Sequence, residues 1–264
     1  MGSLIEAQNL VKRYGDLYAL RGLSLRVMPG EIYGLLGPNG SGKSTTIRII
    51  CGITKLDDGY VRVLGKDPYL DSVEVKTRLG YVPETPSLYE SLTPREFFEF
   101  VASVRRIDRV VAQERAHKLI EAFDIDQYFD SPIATFSMGT KQKIALIAAL
   151  IHEPPILLLD EPLNGLDAKS SKILKELMSY HIQMGGCILF STHIMEVAET
   201  ICTRIGIIYQ GKIVAEGTME QLRNYVSGSG STLEQIFLKL TNEDVEITDT
   251  LKELRGTFSA AQVE

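Results

Sequence analysis

The sequence has 264 residues, of which 44% are hydrophobic and 23% are charged, and a formal net charge of −6 at pH 7. This composition is typical of a globular protein with one or two domains. The acidic balance argues against broad nucleic-acid binding, which usually leaves a basic surface, so we expect no nucleic-acid partner.

The cysteines and the apolar runs limit the kinds of site that the chain can carry. Cys51, Cys187 and Cys202 show no C-x-x-C spacing, which indicates buried thiols in a reducing compartment rather than a metal site. The longest apolar run, 144–151, is much shorter than the roughly 18 residues that a membrane-spanning helix needs. We therefore expect any membrane association to be peripheral.

The first part of the chain, residues 4–36, alternates apolar and polar positions in short runs. Leu23, Leu25 and Val27 fall on one face of a strand, which predicts antiparallel sheet. Tyr14 lies in a turn-like stretch, 13–16. An aromatic residue there is either an ordinary surface residue or a platform on which a base stacks, and the pattern leaves both interpretations open.

The stretch 37–44 reads Gly-Pro-Asn-Gly-Ser-Gly-Lys-Ser and matches the phosphate-binding pattern G-x-x-x-x-G-K-[ST]. A buried strand at 32–36 precedes it, and a helix at 46–51, ended by Gly52, is predicted after it. These neighbours favour a phosphate loop over a glycine-rich turn that matches by chance. In such a loop Lys43 reaches the β- and γ-phosphates and the Ser44 hydroxyl binds Mg²⁺.

Two further strands, 60–64 and 79–82, follow, and Glu84 stands just past the second one. The composition then becomes helical over about 88–150, beginning with a capping box at 93–96. A third helix of this insertion is predicted from about Lys141 to Ile151. The residues before it include Ser137, which is either a plain N-cap or part of an anion site at a helix N-terminus.

The apolar run 156–159 reads as a parallel strand covered on both faces, and Asp160 and Glu161 follow it directly. In a chain with a phosphate loop, this pair predicts that Asp160 binds Mg²⁺ and Glu161 polarises a water molecule. The alternative is a pair of solvated loop carboxylates. A buried strand at 187–190 leads to His193, and a helix at 194–202 and a hairpin at 204–215 follow.

The phosphate loop, Glu84, the Asp160–Glu161 pair and His193 each come after an apolar run. In an open α/β sheet, ligands bind outside the carboxyl ends of the strands. We therefore expect these groups to gather at one edge of the sheet.

The chain beyond residue 217 carries fewer signals. A Ser/Gly stretch at 227–231 is followed by a capping box at 232–235, which predicts a short helix at 233–240. The last twenty or so residues are polar, and we expect a flexible tail there. The predicted division is a phosphate-binding domain at 4–222, with a helical subdomain at about 88–150, and an extension at 223–264.

Taken together, residues 4–220 resemble the ATP-binding cassette (ABC) family, with its motifs in family order. The resemblance implies an α/β fold: a RecA-like P-loop NTPase core with an N-terminal antiparallel β subdomain and an inserted α-helical subdomain. It implies ATP and Mg²⁺ as ligands, with the metal held by Ser44, Glu84 and Asp160. By position, the resemblance assigns adenine stacking to Tyr14, the Q-loop to Glu84 and Walker B to Asp160. It assigns the D-loop to 164–167 with Asp167, and catalysis to Glu161 and His193. The two longer motifs are the Walker A loop, which consists of Gly37, Pro38, Asn39, Gly40, Ser41, Gly42, Lys43, Ser44 and Thr45, and the signature, which consists of Ser137, Met138, Gly139, Thr140 and Lys141.

Two residues depart from the family pattern. Glu84 stands where the family usually has glutamine, which keeps an acceptor but adds negative charge and removes an amide donor. Met138 stands where the signature usually has glycine, and Ser137 and Gly139 remain as donors.

The resemblance implies the ATP-hydrolysing subunit of a transporter, working as a homodimer on a separate transmembrane permease. The location it implies is the inner face of the cell membrane, and the glutamate at 84 and the helix at 233–240 resemble exporter-like members. The alternative is a soluble ABC-type ATPase of DNA repair, translation or regulation. Repair enzymes carry long coiled-coil insertions and translation factors carry two cassettes, whereas this chain has neither, and Glu161 with His193 argues against a regulator without turnover.

Overall fold

The computed structural model describes residues 2–225 and 231–241. The predicted polar tail and most of the Ser/Gly stretch lie outside these ranges. The described strands are β1 (Ile5–Tyr14), β2 (Leu17–Val27), β3 (Ile32–Leu36), β4 (Asp58–Val63), β5 (Leu79–Val82), β6 (Ile156–Asp160), β7 (Cys187–Thr192), β8 (Arg204–Tyr209) and β9 (Lys212–Gly217). The described α-helices are α1 (Lys43–Ile50), α2 (Ser72–Thr77), α3 (Pro94–Arg105), α4 (Arg109–Phe123), α5 (Met138–Leu150), α6 (Ala168–Gln183), α7 (Met195–Ile201), α8 (Met219–Asn224) and α9 (Leu233–Thr241).

The strands form two sheets. An antiparallel sheet has the order β2-β1-β4, and a six-stranded sheet has the order β5-β6-β7-β3-β8-β9. All neighbours in the larger sheet are parallel except the β8–β9 hairpin. This is the predicted arrangement, a P-loop NTPase core beside an antiparallel subdomain.

The larger sheet is covered on both faces, which explains its continuous apolar strands. Along β7, Ile188 and Phe190 pack with the α3–α6 side, whereas Cys187 and Leu189 pack with α1 and the antiparallel sheet. Side chains of a strand alternate between the two faces, so a strand between two layers must be apolar at every position.

The segment between β5 and β6 is helical, as the sequence predicts, and contains α3, α4 and α5. The capping box at the start of α3 forms: Thr93 Oγ1 accepts from the Glu96 amide at 3.2 Å, and the Glu96 carboxylate accepts from the Thr93 amide at 2.8 Å. Asp108 caps α4 by accepting from two backbone amides at 3.0 and 3.2 Å.

Two predicted helix starts are wrong, for one physical reason. The helix expected at Thr46 begins at Lys43, and the helix expected at about Lys141 begins at Met138. In both cases the first helical turn lies inside a motif, because Gly42 and Ser137 are the N-caps. Tyr14, expected in a turn, is the last residue of β1.

Helices α2, α6 and α8 were not predicted from the sequence. Of these, α6 is the longest, with 16 residues. Its start is capped by Asp167, which accepts from the Ser170 amide at 2.8 Å. Leu174 and Met178, four positions apart, are its buried apolar residues, a spacing that indicates a helix.

The end of α5 is tied to strand β5 by a half-buried histidine. His152 follows α5, and its Nε2 lies 2.9 Å from the Leu79 carbonyl oxygen, which can only accept, so Nε2 carries the proton. Burial, with the charges of Arg105 and Arg115, lowers the pKa of His152 to about 4.

This depressed pKa makes the fold sensitive to mild acid. A histidine whose folded pKa is lowered contributes stability above its unfolded pKa of about 6.5, and this contribution is lost as the pH falls toward about 4. We expect the unfolding free energy, measured by urea titration, to fall more over this range for the wild type than for His152→Gln. The exposed His117 on α4 supplies the control, since His117→Gln should keep the wild-type pH dependence. Equal slopes for the wild type and His152→Gln would contradict this prediction.

Candidate active site

The loop between β3 and α1 is held in shape by two other parts of the chain. Gly42 is the N-cap of α1 with φ of 112°, and a side-chain carbon there would lie 2.7 Å from the Ala19 carbonyl oxygen. The Gly211 amide, in the β8–β9 turn, donates to the Ser41 carbonyl at 2.9 Å. The first amides of α1, at 43–45, have no acceptor within the helix, so they are available as hydrogen-bond donors to an anion.

Lys43 lies across this loop with its ammonium group buried. Its Nζ donates to the carbonyl oxygens of Gly37 at 2.7 Å and Pro38 at 3.2 Å. The same Nζ lies 3.7 Å from Glu161 Oε1. Burial lowers the pKa of Lys43, and the carboxylates of Glu161, Asp160 and Glu84 oppose that shift.

Asp160 and Glu161 stand at the carboxyl end of β6 and are both buried. Ser191, on the neighbouring strand β7, joins them: its Oγ donates to Asp160 Oδ1 at 2.5 Å and accepts from the Glu161 amide at 3.1 Å. Glu161 has a φ of 48°, which is uncommon for a residue with a side chain and is frequent at functional sites. Ser191 was not predicted from the sequence, because the strand pairing that brings it to Asp160 leaves no local signal.

His193 completes a cluster of charged and titratable side chains. Its Nδ1 lies 2.9 Å from Glu161 Oε1, and the carboxylate accepts this hydrogen bond. Glu161 therefore stands between Lys43 and His193. We call these residues with Asp160 the catalytic cluster.

The remaining residues predicted for nucleotide binding differ in their exposure to solvent. Ser44 and Thr45 are half-buried on the first turn of α1. Glu84 is exposed after β5, and its charge still acts on the pKa of Lys43. Tyr14 is 48% exposed at the end of β1, with Lys12 Nζ 5.4 Å from its ring centre.

The signature residues form a second group, at the start of α5. Ser137 Oγ accepts from the Thr140 amide at 3.2 Å, so the predicted N-cap is present. Met138 is 56% exposed. Lys141 pairs with Glu90 at 2.5 Å. Within the parts of the chain that the structure describes, no hydrogen bond or ion pair joins 137–141 to the loop 37–45.

The D-loop, 164–167, packs on the signature helix. A side-chain carbon on Gly139 would lie 2.3 Å from the Gly165 carbonyl oxygen, so only glycine permits this approach. Lys143 pairs with Asp167 at 2.7 Å and donates to the last carbonyl of α4, that of Phe123, at 3.0 Å. The hydrogen bond from Lys143 holds the pKa of Asp167 well below its usual range. Lys143 was not predicted from the sequence, although it lies only two residues beyond the signature.

Two buried oxygens in the site lack a hydrogen-bond partner, namely Asp160 Oδ2 and Ser41 Oγ. A buried polar atom without a partner is costly, which fits a site completed by a ligand. Among residues 2–225 and 231–241, no three His, Cys, Asp or Glu side chains are grouped to hold a metal. The donors present suit Mg²⁺, which takes few protein ligands and binds phosphates and water.

No helix in the described ranges has the length and apolar character that crossing a membrane requires.

Comparison with known proteins identifies the family. Residues 20–164 match the family model described as ABC transporter. The chain is 35% identical over 244 residues to the probable multidrug ABC transporter ATP-binding protein YbhF of Escherichia coli, covering 91% of the chain and 42% of YbhF. It is 35% identical to the linearmycin resistance ATP-binding protein LnrL of Bacillus subtilis, with coverages of 91% and 76%, and 34% identical to the ABC-type transporter ATP-binding protein EcsA of the same species, with coverages of 92% and 98%.

Solved structures agree. An ATP-binding subunit of an ABC transporter matches with a TM-score of 0.86 and 33% identity, covering 90% of this chain and 100% of that one. The dimeric ATP-binding cassette MJ0796, bound to ADP and phosphate after hydrolysis, matches with a TM-score of 0.74 and 26% identity, covering 81% of this chain and 98% of that one. The chain belongs to the ABC transporter family, and its fold is that of the family's ATPase domain.

Proposed function

We propose that this chain is the ATP-binding and ATP-hydrolysing subunit of an ABC transporter that powers export through a separate transmembrane permease. The observation that carries the proposal is the catalytic cluster, in which the Glu161 carboxylate lies 3.7 Å from Lys43 Nζ and 2.9 Å from His193 Nδ1. The multidrug and resistance functions in the names of YbhF and LnrL support export. The chain spans 42% of YbhF, and the alternative of a soluble ATPase of repair or translation has no support among these relatives.

In this proposal the loop 37–45 holds the phosphates of ATP, and Tyr14 stacks on the adenine. The free amides at the start of α1 donate hydrogen bonds to the phosphate oxygens, and the Lys43 ammonium group pairs with the phosphate charge. The exposed ring of Tyr14, on the strand next to β2, is accessible to a base.

We infer that Mg²⁺ is held by Ser44, Asp160 and Glu84 together with the nucleotide phosphates. The unpartnered Oδ2 of Asp160 supports this assignment. When bound, the ion neutralises charge on the β- and γ-phosphates.

Hydrolysis follows from the position of Glu161. A water molecule attacks the γ-phosphorus while the bond to the β–γ bridging oxygen breaks, and the proton of the water passes to the Glu161 carboxylate. ADP leaves with the bonding pair, and phosphate is released. His193 Nδ1 orients the carboxylate, and Lys43 stabilises the charge that develops on the phosphates.

Each ATP site needs a second chain in this proposal. The signature residues 137–141 sit at the exposed start of α5, with no polar contact to their own phosphate loop in the described ranges. Two chains arranged head to tail would place each signature on the partner's ATP and give a closed, twofold-symmetric homodimer.

The proposed permease contact lies on the helical segment after Glu84. Tyr89 and Phe100 pack edge to face with ring centres 5.3 Å apart, and both are exposed, as is Val104. An exposed apolar group of this kind is typical of an interaction site. Binding of a permease at these side chains would place the chain on the inner face of the cell membrane.

The role of Glu161 gives the first functional prediction. Glu161→Gln removes the proton acceptor and should lower steady-state ATP hydrolysis by about 10²–10⁴-fold. ATP binding, measured by titration with a fluorescent nucleotide, should remain. Glu114, an exposed residue of α4 that forms an ion pair with Lys118, is the control, because Glu114→Gln should leave hydrolysis unchanged. Hydrolysis by Glu161→Gln within a few-fold of the wild type would remove Glu161 from the reaction.

The role of the signature gives the second functional prediction. Glu161→Gln prevents hydrolysis, so ATP stays bound, and ATP that binds the closed pair more tightly than the monomer shifts association toward the dimer. We expect size-exclusion chromatography with light scattering to show a dimer for Glu161→Gln with ATP and Mg²⁺ and a monomer without nucleotide.

Adding Ser137→Arg should abolish this dimer while the monomer still binds ATP, because the arginine obstructs the partner's γ-phosphate. Ser179→Arg, at an exposed serine of α6, should dimerise normally. A Ser137→Arg variant that dimerises as well as its parent would reduce the signature to a helix cap.

A further inference from the structure

The helix that follows His193 is short and depends on its neighbours. Helix α7 has seven residues, no side-chain cap, and Ala198 as its buried residue. Helices of this length are not stable by themselves in water. The position of α7 is therefore set by the packing around it, and His193 lies in the short link between the end of β7 and the start of α7.

Helix α9, near the end of the described chain, supplies a large part of that packing. Its residues Leu233, Ile236 and Phe237 are buried in one apolar cluster with Ala198 of α7. Met195, the first residue of α7, packs against the same cluster. The contact therefore reaches the turn of α7 that adjoins His193.

Two further contacts fix α9 in this place. The Glu199 carboxylate, on α7, accepts a hydrogen bond from the Leu233 amide at the start of α9. The Phe237 ring meets the Tyr209 ring of β8 edge to face, with centres 6.3 Å apart. Since Phe237 is only 4% exposed, α9 is an integral part of the packed structure on this side of the sheet.

We propose that α9 is a positioning element for His193: by fixing α7 it sets the distance from His193 Nδ1 to Glu161 Oε1. This inference rests on the proposed ATP hydrolysis. The apolar cluster joins Phe237 to Met195, the backbone connects Met195 to His193 two residues earlier, and His193 contacts Glu161. Neither Phe237 nor Glu199 is assigned a contact with ATP, so their effect is on turnover rather than on nucleotide binding.

The test compares variants of the full chain in steady-state hydrolysis and in nucleotide titration. Phe237→Ala should lower kcat by about 10- to 100-fold, the size expected for a displacement of about 1 Å at a catalytic group, with ATP affinity unchanged. Phe237→Leu, which retains an apolar side chain, should restore most of the rate. Ile5→Ala in the antiparallel sheet, equally buried, controls for lost stability and should keep kcat within about twofold.

A second comparison shows whether the effect passes through His193. In a His193→Ala background, Phe237→Ala should lower kcat no further. If Phe237→Ala does not fold, Glu199→Ala tests the same contact more mildly, and Glu199→Gln, which keeps an acceptor for the Leu233 amide, should restore the rate.

The inference is overturned if folded Phe237→Ala or Glu199→Ala turns over like the wild type, or if the loss is equally large in the His193→Ala background. A wild-type chain that binds ATP without hydrolysing it would overturn the proposed function as well, so the two failures are distinguishable.

Discussion

The buried contact between Lys43 and Glu161 is the constraint on which the rest of the site depends. Both side chains are almost fully removed from water, and their charged atoms are 3.7 Å apart. Buried charges are tolerated only when they are paired and hydrogen-bonded. Lys43 meets this requirement with two loop carbonyls, and Glu161 meets it with His193 Nδ1.

The parallel sheet makes this pairing possible. Strands β3, β6 and β7 end side by side, and the phosphate loop, the Asp160–Glu161 pair and His193 follow them in turn. Because both faces of the sheet are covered, the strand ends hold Lys43, Asp160 and Glu161 away from water. Electrostatic stabilisation of a phosphoryl transition state is strongest in such a place, since the fixed charges need little reorganisation.

The second group of functional residues is fixed to the first by the chain itself. The D-loop begins three residues after Glu161, where the Asn164 amide donates to the Glu161 carbonyl at 3.1 Å. It then packs on the signature helix through Gly165 and the Lys143–Asp167 pair. The D-loop therefore links the start of α5 to Glu161 within one chain.

Much of this architecture is predictable from the sequence, for identifiable reasons. The strands β3, β5, β6 and β7 are continuous apolar runs followed by polar residues, and a parallel sheet requires that its ligand edge collect those residues. The starts of α1 and α5 were predicted too far toward the C-terminus, because Gly42 and Ser137 act both as motif residues and as helix caps.

Contacts between distant segments could not be predicted. Ser191 bridges Asp160 and Glu161 only because β7 pairs with β6, and Lys143 reaches Asp167 only because the D-loop folds back on α5. Helix α9 was predicted as an element, but its packing against α7 depends on tertiary structure that no local pattern encodes.

Each ATP site is proposed to contain residues of two chains, and disulfide trapping tests this arrangement. Asn39→Cys marks the phosphate loop and Ser137→Cys marks the signature, while the native Cys51 and Cys187 are buried and Cys202 is half-buried. A disulfide forms only when the two Cα atoms come within about 7 Å.

Chains carrying one marker each, both with Glu161→Gln, would be mixed, oxidised mildly and separated on a non-reducing gel. If two chains build each ATP site, a covalent dimer is expected when ATP and Mg²⁺ are present, and no covalent dimer is expected without nucleotide. No covalent dimer from the mixed chains, together with an internal disulfide in a monomer that carries both markers, would contradict it.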